Sequence, residues 1–289
     1  MDKLPRFPKC YNRWQKMSAN FVEVKCRKAI SNSSEGKKGD NTKILPALEN
    51  SEKETPYPRF GGVYKIESKP HKFCPGCGHP IVLKMLGQVI DEMGIGQQVI
   101  FLVDIGCSLL AWDFYNLPTS QTHHGRTVPT AVGFKMADPG KIVIAYVGDG
   151  GAYAIGLQHT ITSCLRNDPI TTIVVNNTLY AMTGGQSAPT TVDGQITTTT
   201  PGGKSEFTTL RGPELLKSIA KPQAFIARGS TNSPLVLKQY LKKALETQIK
   251  GNFSLVEAIS ACPVNWRTNA EQTIKKMIEL EKIFKLGEL

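Results

Sequence analysis

Three short and almost continuous apolar runs, separated by helical patterns, constrain the fold of this chain more than any other feature. Val99–Ile105, Ile142–Val147 and Ile170–Val175 are rich in β-branched residues, which is typical of strands buried on both faces of a sheet. Alternation of such strands with helices predicts an α/β fold, a doubly wound and mostly parallel sheet. Helices are predicted over Ile81–Met93, Gly125–Met136, Ala152–Cys164, Pro234–Thr247 and Glu271–Lys285, and further strands over Lys221–Arg228 and Phe253–Ile259.

The first quarter of the chain differs in composition from the rest. Residues 1–70 carry 15 basic and 8 acidic residues, a net charge of +7 out of the +11 of the whole chain. The run from Ser31 to Lys43 is polar and rich in Gly, Ser and Lys, which is typical of a linker. We therefore predict a basic, flexible extension over residues 1–56 and one folded domain over residues 57–289.

Composition and charge argue against several classes of protein. No window of 18 consecutive apolar residues is present, so no membrane-spanning helix is expected. The first residues lack the apolar core of a secretory signal, and a transit peptide is only a weak alternative, so we expect a cytoplasmic protein. The basic surplus lies in a segment without a recognisable nucleic-acid-binding module. Neither nucleic acid nor a membrane is therefore an expected partner.

Small and oxygen-bearing residues follow each of the three central strands, where ligands bind in such sheets. Asp149 follows the second strand and Asn177 the third, and their side-chain oxygens, with the carbonyl of Leu179, suit Mg²⁺. Gly148 and Gly150 flank Asp149 and let backbone amides approach phosphate oxygens, next to a helix predicted to start near Ala152. The alternative interpretation is two ordinary turns, with Asp149 and Asn177 as helix caps.

Four cysteines are predicted to lie in loops at the same edge of the sheet. Cys74 and Cys77 form a C-x-x-C turn, Cys107 follows the first strand, and Cys262 follows the last apolar run. Such a set suits an iron–sulfur cluster or zinc, and a C-x-x-C turn also suits thiol redox chemistry. The spacing alone does not separate zinc from a cluster. The remaining cysteines are Cys164, predicted in the core, and Cys10 and Cys26 in the extension.

Several motifs together resemble the β subunit of 2-oxoacid:ferredoxin oxidoreductases. The Gly-Asp-Gly turn, 25 residues and then Asn-Asn resemble the thiamine diphosphate signature. The resemblance extends from about Phe60 to Leu289. The motifs are FCPGCGHP (73–80), DIGCS (104–108), HGR (124–126), VGDGG (147–151), NNTLYAMTGGQSAPTT (176–191) and ACPVN (261–265).

The resemblance implies a thiamine diphosphate-binding fold of the PP type that carries Mg²⁺ and one [4Fe–4S] cluster. It assigns the cluster to Cys74, Cys77, Cys107 and Cys262, and the Mg²⁺ ligands to Asp149, Asn177 and the carbonyl of Leu179. Diphosphate and thiazolium contacts map onto Ile105, Gly106, Cys107, Ser108, Gly150, Ala181 and Met182, with His124 as a further contact.

The implied activity is oxidative decarboxylation of a 2-oxoacid to acyl-CoA and CO₂, with coenzyme A as co-substrate and ferredoxin as electron acceptor. Gly184 stands where some relatives carry a Lys linked to substrate choice, and the TGGQ form with the downstream TTTTP (197–201) resembles the branches that act on 2-oxoisovalerate or 2-oxoglutarate. The resemblance implies that the Glu that activates thiamine lies on a partner α subunit, and γ and δ subunits are further candidate partners. Asp104 and Asp113 do not match that role, so this chain alone is expected to be inactive.

Two other functions stay open on the sequence. A non-redox thiamine diphosphate-dependent decarboxylase or lyase subunit would use the Asp149 and Asn177 motifs but leave the four loop cysteines without a role. A zinc-stabilised nucleic-acid-binding module would use the cysteines and the basic extension but not the two strand-end motifs.

Overall fold

The computed structural model describes Val63 and residues 71–204 and 208–289. The predicted extension over residues 1–56, with Cys10 and Cys26, lies outside the described residues. The main sheet contains seven strands in the order β2-β1-β3-β4-β8-β7-β9. Its strands are β1 Val99–Val103, β2 Thr119–Gln121, β3 Ile142–Gly148, β4 Thr171–Asn176, β7 Phe225–Ser230, β8 Ser254–Ile259 and β9 Gly287–Glu288, and a separate hairpin pairs β5 Leu179–Tyr180 with β6 Gln186–Ser187.

All neighbouring strands of the main sheet pair in parallel except β9, which pairs antiparallel with β7. The predicted α/β fold with a mostly parallel sheet is therefore confirmed. The helices of the described residues are α1 His79–Glu92, α2 Thr127–Ala137, α3 Asp149–Tyr153, α4 Leu157–Arg166, α5 Gly212–Lys217, α6 Pro234–Ile249, α7 Pro263–Trp266 and α8 Ala270–Ile283. Within the described residues, none of these helices combines the length and the apolar character needed to cross a bilayer.

Alternating side chains of the strands pack against helices on opposite faces of the sheet. Phe101 and Tyr146 share one core cluster with residues of α1 and α6, whereas Leu102 and Val147 share the other with residues of α2 and α4. Cys164 of α4 is fully buried in this second cluster, as predicted. Because both faces are covered, the strands are apolar almost throughout, which explains the continuous runs in the sequence.

One predicted helix is wrong in its boundaries. The segment predicted as a helix over Ala152–Cys164 forms two helices, α3 and α4, separated by residues 154–156. A Cβ on Gly156 would lie 2.1 Å from the carbonyl oxygen of Gly151, so the chain turns here in direct backbone contact. The helix predicted to start near Ala152 starts instead at Asp149.

The elements that the sequence did not predict are short. They are β2, the β5–β6 hairpin, α5, α7 and the antiparallel edge strand β9, of two to six residues each. Segments of this length are too short to establish an apolar period.

Candidate functional site

A cavity of about 160 Å³ opens at the carboxyl ends of β1, β3 and β4. Strand pairing explains the convergence, because Val103 of β1 is in register with Tyr146 of β3, and Gly148 of β3 with Val175 of β4. The structure brings all the predicted cofactor and Mg²⁺ residues to this one cavity. Its lining includes Ile105, Gly106, Cys107, Ser108, His124, Gly148, Asp149, Gly150, Asn177, Leu179, Ala181 and Met182.

Asp149 is a buried carboxylate at the start of α3. Its Oδ2 accepts a hydrogen bond from Thr190 Oγ1 at 2.6 Å, and its Oδ1 accepts one from the backbone N–H of Gly150 at 2.9 Å. Among the described residues it has no cationic partner. Burial raises the pKa of this carboxyl to about 7. A divalent cation would compensate the buried charge, so this side chain fits a Mg²⁺ ligand.

Asn177 and Leu179 lie on either side of a strained residue. Thr178 has a φ of 64°, a conformation that is unusual for a β-branched residue. Its backbone N–H donates to Asn176 Oδ1 at 3.0 Å, and its carbonyl accepts hydrogen bonds from Thr191 and Gln195. The strain is thus held by buried partners, as is common at functional sites, and both predicted Mg²⁺ ligands of this turn line the cavity.

The loop after β1 contributes a buried hydroxyl with no partner. Ser108 Oγ is buried, lines the cavity, and makes no hydrogen bond to any described residue. A buried polar group without a partner is costly in free energy and rare in native proteins. A ligand oxygen in the cavity would satisfy this hydroxyl, so Ser108 fits its predicted role in binding diphosphate.

His124 is oriented by the buried carboxylate of Asp104. His124 Nδ1 lies 3.1 Å from Asp104 Oδ2 and 2.9 Å from the carbonyl oxygen of Ile105. Since both neighbours are acceptors, we assign the neutral ring proton to Nδ1. Nε2 then keeps its lone pair and has no partner within the described part of the chain, while the ring lines the cavity.

The four loop cysteines are free thiols that lie near one another. Burial raises the pKa of Cys77 to about 12, a hydrogen bond from the backbone of His79 opposes this rise, and the charges of Cys262, Cys107 and Cys74 add to it. Burial, and then the charges of Cys262, Cys74 and Asp149, raise the pKa of Cys107 to about 12 as well. Cys107 also lines the cavity, so the set of four loop cysteines and the cavity have this residue in common.

The four thiols influence one another's pKa values but do not form a ready site for a single ion within the described residues. Within residues 71–204 and 208–289, no three His, Cys, Asp or Glu side chains are arranged to hold a single metal ion. A zinc site needs its sulfurs at about 2.3 Å from one ion. Four thiolates can hold either zinc or an iron–sulfur cluster.

Several residues of the site were not predicted from the sequence. Thr190, which bonds Asp149, follows it by 41 residues, and no spacing rule connects the two. The sequence assigns Asp104 no role, because it does not match the activating acid. Its contact with His124 could not be predicted, because it depends on the turn after β2. Asn265 ends the ACPVN motif (261–265), in which the resemblance assigns only Cys262, and Trp266 follows it. Asn265 contacts Cys262 and Ala181, and Trp266 contacts Asn177.

Comparison with known proteins agrees with this geometry. Residues 104–258 match the family described as thiamine pyrophosphate enzyme, C-terminal TPP binding domain. The chain is 38% identical over 216 residues to the 2-oxoglutarate synthase subunit KorB of Methanocaldococcus jannaschii, covering 74% of this chain and 77% of that protein. It is 35% identical to the 2-oxoacid:ferredoxin oxidoreductase subunit beta of Saccharolobus solfataricus, covering 66% of this chain and 62% of that one.

A longer relative and a solved structure extend the comparison. The ketoisovalerate oxidoreductase subunit VorA of Methanothermobacter marburgensis is 38% identical over 69% of this chain, but the match covers only 43% of that subunit, so this chain spans less than half of its length. A 2-oxoglutarate:ferredoxin oxidoreductase from Magnetococcus marinus, solved with 2-oxoglutarate, coenzyme A and succinyl-CoA bound, matches with a TM-score of 0.65 and 26% identity, covering 74% of this chain and 70% of that one. With the cavity, the strand-end motifs and the thiol group, these matches show that the chain belongs to the family of thiamine pyrophosphate-binding β subunits of 2-oxoacid:ferredoxin oxidoreductases.

Proposed function

We propose that this chain is the cofactor-binding subunit of an enzyme that oxidatively decarboxylates a 2-oxoacid to acyl-CoA and CO₂ and passes the electrons to ferredoxin. The observation that carries the proposal is Cys107. It lines the cavity with Asp149 and Asn177, and Cys262 and Cys74 lie near enough to contribute to the raised pKa of its thiol. A non-redox thiamine enzyme has no use for a thiol group at the wall of its cofactor cavity.

The residues of the chain divide into two sets with separate tasks. Asp149, Asn177 and the carbonyl of Leu179 would hold Mg²⁺, and Cys74, Cys77, Cys107 and Cys262 would hold a [4Fe–4S] cluster. When bound, thiamine diphosphate supplies a nucleophilic carbon and an electron sink for decarboxylation, and the cluster supplies one-electron transfer.

The lining of the cavity indicates how the chain orients its ligands. Ser108 Oγ and the backbone around Gly150 would bind diphosphate oxygens, and Ala181 and Met182 border the same space. Asp104 fixes the ring of His124 against the wall. The carbonyl of Thr178 accepts two hydrogen bonds from residues 191 and 195, which keeps the turn with Asn177 and Leu179 in place.

The cavity lacks the charges that two further steps require. Within residues 71–204 and 208–289, no Lys or Arg lines it, and its one lining carboxyl is Asp149. The Glu that activates thiamine, and a cation for a second carboxylate on a substrate such as 2-oxoglutarate, would therefore come from an α subunit. Assembled enzyme tested with 2-oxoglutarate and 2-oxoisovalerate would identify the substrate by the ratio of kcat/KM values.

Anaerobic purification of the full chain tests the proposed cofactors. We expect a brown protein with about four irons per chain, and thiamine diphosphate binding that requires Mg²⁺. Cys74→Ser should bleach the visible absorption, whereas Cys164→Ser, a substitution in the buried face of α4, should leave it unchanged.

Each alternative function has its own result. A colourless, iron-free protein that binds thiamine diphosphate would indicate a non-redox decarboxylase or lyase subunit. Zinc without thiamine diphosphate binding, together with salt-dependent binding to nucleic acid, would indicate a zinc-stabilised module. Either result would overturn the proposal.

A further inference from the structure

The short helix α7 lies between the four loop cysteines and the cofactor cavity. It starts directly after Cys262, which is buried, and comprises Pro263–Trp266. Two side chains of this single turn, Asn265 and Trp266, form hydrogen bonds to the segment from Asn177 to Ala181. That segment holds two of the proposed Mg²⁺ ligands and part of the cavity wall.

Asn265 contacts both sides at once. Its Nδ2 donates to Cys262 Sγ at 3.7 Å and to the carbonyl oxygen of Ala181 at 3.1 Å. The backbone N–H of Asn265 also donates to Cys262 Sγ. On the other side of the amide, a Cβ on Gly185 would lie 3.0 Å from Asn265 Oδ1. The amide is therefore enclosed between the sulfur and the β5–β6 hairpin, which restricts its rotation.

Trp266 extends the same connection to the Mg²⁺ side. Its Nε1 donates to the carbonyl oxygen of Asn177 at 3.1 Å, and the ammonium of Lys276 lies 4.9 Å from the centre of its ring. Trp266 is buried, so this hydrogen bond is shielded from water. It holds α7 against the end of β4 and keeps Asn265 close to Cys262.

We propose that Asn265 is a positioning residue that raises the reduction potential of the cluster and connects its ligand Cys262 to the cofactor loop at Ala181. The inference rests on the proposed function, because it requires a cluster on the four cysteines. An N–H that donates to a ligating sulfur stabilises negative charge there. The reduced cluster carries one more electron than the oxidised cluster, so the hydrogen bond favours reduction and raises the potential.

The decisive measurement is the midpoint potential of the cluster in full-chain protein produced with its partner subunits, titrated anaerobically and followed by EPR. Asn265→Leu removes the side-chain donor at similar volume, and we expect a more negative potential at unchanged iron content. Val264→Ala is the matched control, because Val264 is exposed on the same turn and its replacement keeps the backbone donors. The midpoint potential of the cluster in the Val264→Ala variant should equal that of the wild type.

Two further variants keep the test decisive if Asn265→Leu loses iron. Asn265→Gln keeps an amide donor, so the midpoint potential of its cluster should be closer to that of the wild type. Asn265→Asp replaces the donor with a negative charge, so its midpoint potential should be more negative than that of the wild type. Equal potentials for the Gln and Asp variants, or a wild-type potential in an iron-replete Leu variant, would overturn the inference. Wild-type chain without iron would instead overturn the proposed function, so the two failures are distinguishable.

Discussion

Asp104 and Asp149 are both buried carboxylates at the end of a strand, but their surroundings differ. Asp104 accepts hydrogen bonds from the backbone of Gly125 and from Thr127, and it faces His124. Asp149 accepts hydrogen bonds from Thr190 and from the backbone of Gly150 and Thr178, but it faces no cationic group among the described residues and lines the cavity, which Asp104 does not. Asp104 is therefore satisfied within the protein, whereas the surroundings of Asp149 suit a bound cation.

Removal of the hydroxyl of Thr190 should weaken cofactor binding. Thr190→Val deletes the hydrogen bond that orients Asp149 Oδ2, and loss of such an outer contact typically costs about 10- to 100-fold in metal affinity. Calorimetric titration of the chain with Mg²⁺ and thiamine diphosphate measures the effect. Thr209→Val is the control, since Thr209 bonds the carbonyl oxygen of Thr191 rather than Asp149. Equal affinities in the two variants would contradict the assigned role.

The tautomer of His124 is a second prediction for a single residue. Because Nδ1 faces two acceptors, the neutral ring should carry its proton on Nδ1, which ¹⁵N NMR of the imidazole distinguishes from the Nε2–H form. Asp104→Asn places an amide beside Nδ1 and should raise the Nε2–H population, although the carbonyl of Ile105 remains. A wild-type ring found protonated on Nε2 would show that Asp104 does not orient it.

At the scale of the elements, neighbouring strands are joined by an ion pair as well as by backbone hydrogen bonds. Arg228 of β7 and Glu257 of β8 are in register and fully buried, with Nε 2.5 Å from Oε1. The guanidinium also makes two hydrogen bonds to Glu214, which ties α5 to the sheet. Burial works against the charge of Arg228, but the two carboxylates more than compensate and hold its pKa above its ordinary value.

Breaking this pair from one side should destabilise the fold. Arg228→Met leaves Glu257 buried and unpaired, and we expect a loss of about 3–5 kcal/mol in the free energy of unfolding. The double variant Arg228→Met with Glu257→Leu removes both charges and should recover most of that loss. Urea denaturation of the wild type and the two variants measures the difference. A double variant as unstable as the single one would contradict this explanation.

The break between α3 and α4 leads to a paired prediction on glycines. Gly156→Ala would place a methyl group 2.1 Å from the carbonyl oxygen of Gly151, and we expect a loss of about 1–3 kcal/mol by overpacking. Gly133, inside α2, has nothing within 4 Å of an added Cβ, so Gly133→Ala should stabilise the protein by about 0.4–1 kcal/mol. Thermal unfolding should show a lower Tm for Gly156→Ala and a higher Tm for Gly133→Ala than for the wild type.

At the scale of the whole molecule, we expect catalysis to need a partner subunit. The described part of the chain supplies oxygen ligands for Mg²⁺, four thiols and a cavity wall, but its one lining carboxyl is the proposed Mg²⁺ ligand Asp149. Purified chain with thiamine diphosphate, Mg²⁺, coenzyme A and a 2-oxoacid should therefore not reduce a low-potential dye. Addition of an α subunit should restore turnover. Turnover by the chain alone would show that it contains its own activating acid.

The architecture could be predicted from the amino-acid sequence, and so could the convergence of the residues after β1, β3 and β4 on one cavity. Continuous apolar runs are typical only of strands covered on both faces, and parallel strands bring their carboxyl ends to one edge. The residues that follow β1, β3 and β4 could therefore be assigned to one site without coordinates. Four cysteines in loops were expected at the same edge, although their spacing did not choose between zinc and a cluster.

The side chains that support that site become visible only in the folded chain. Thr190, Asp104 and Asn265 act through partners 41, 20 and 84 residues away along the chain, and no local period records such contacts. The break at Gly156 depends on the backbone of Gly151 coming within contact of the turn, which helical periodicity cannot register. The continuous apolar runs follow from burial of both faces of each strand, which the local sequence records, whereas these contacts arise only when loops from distant segments meet in space.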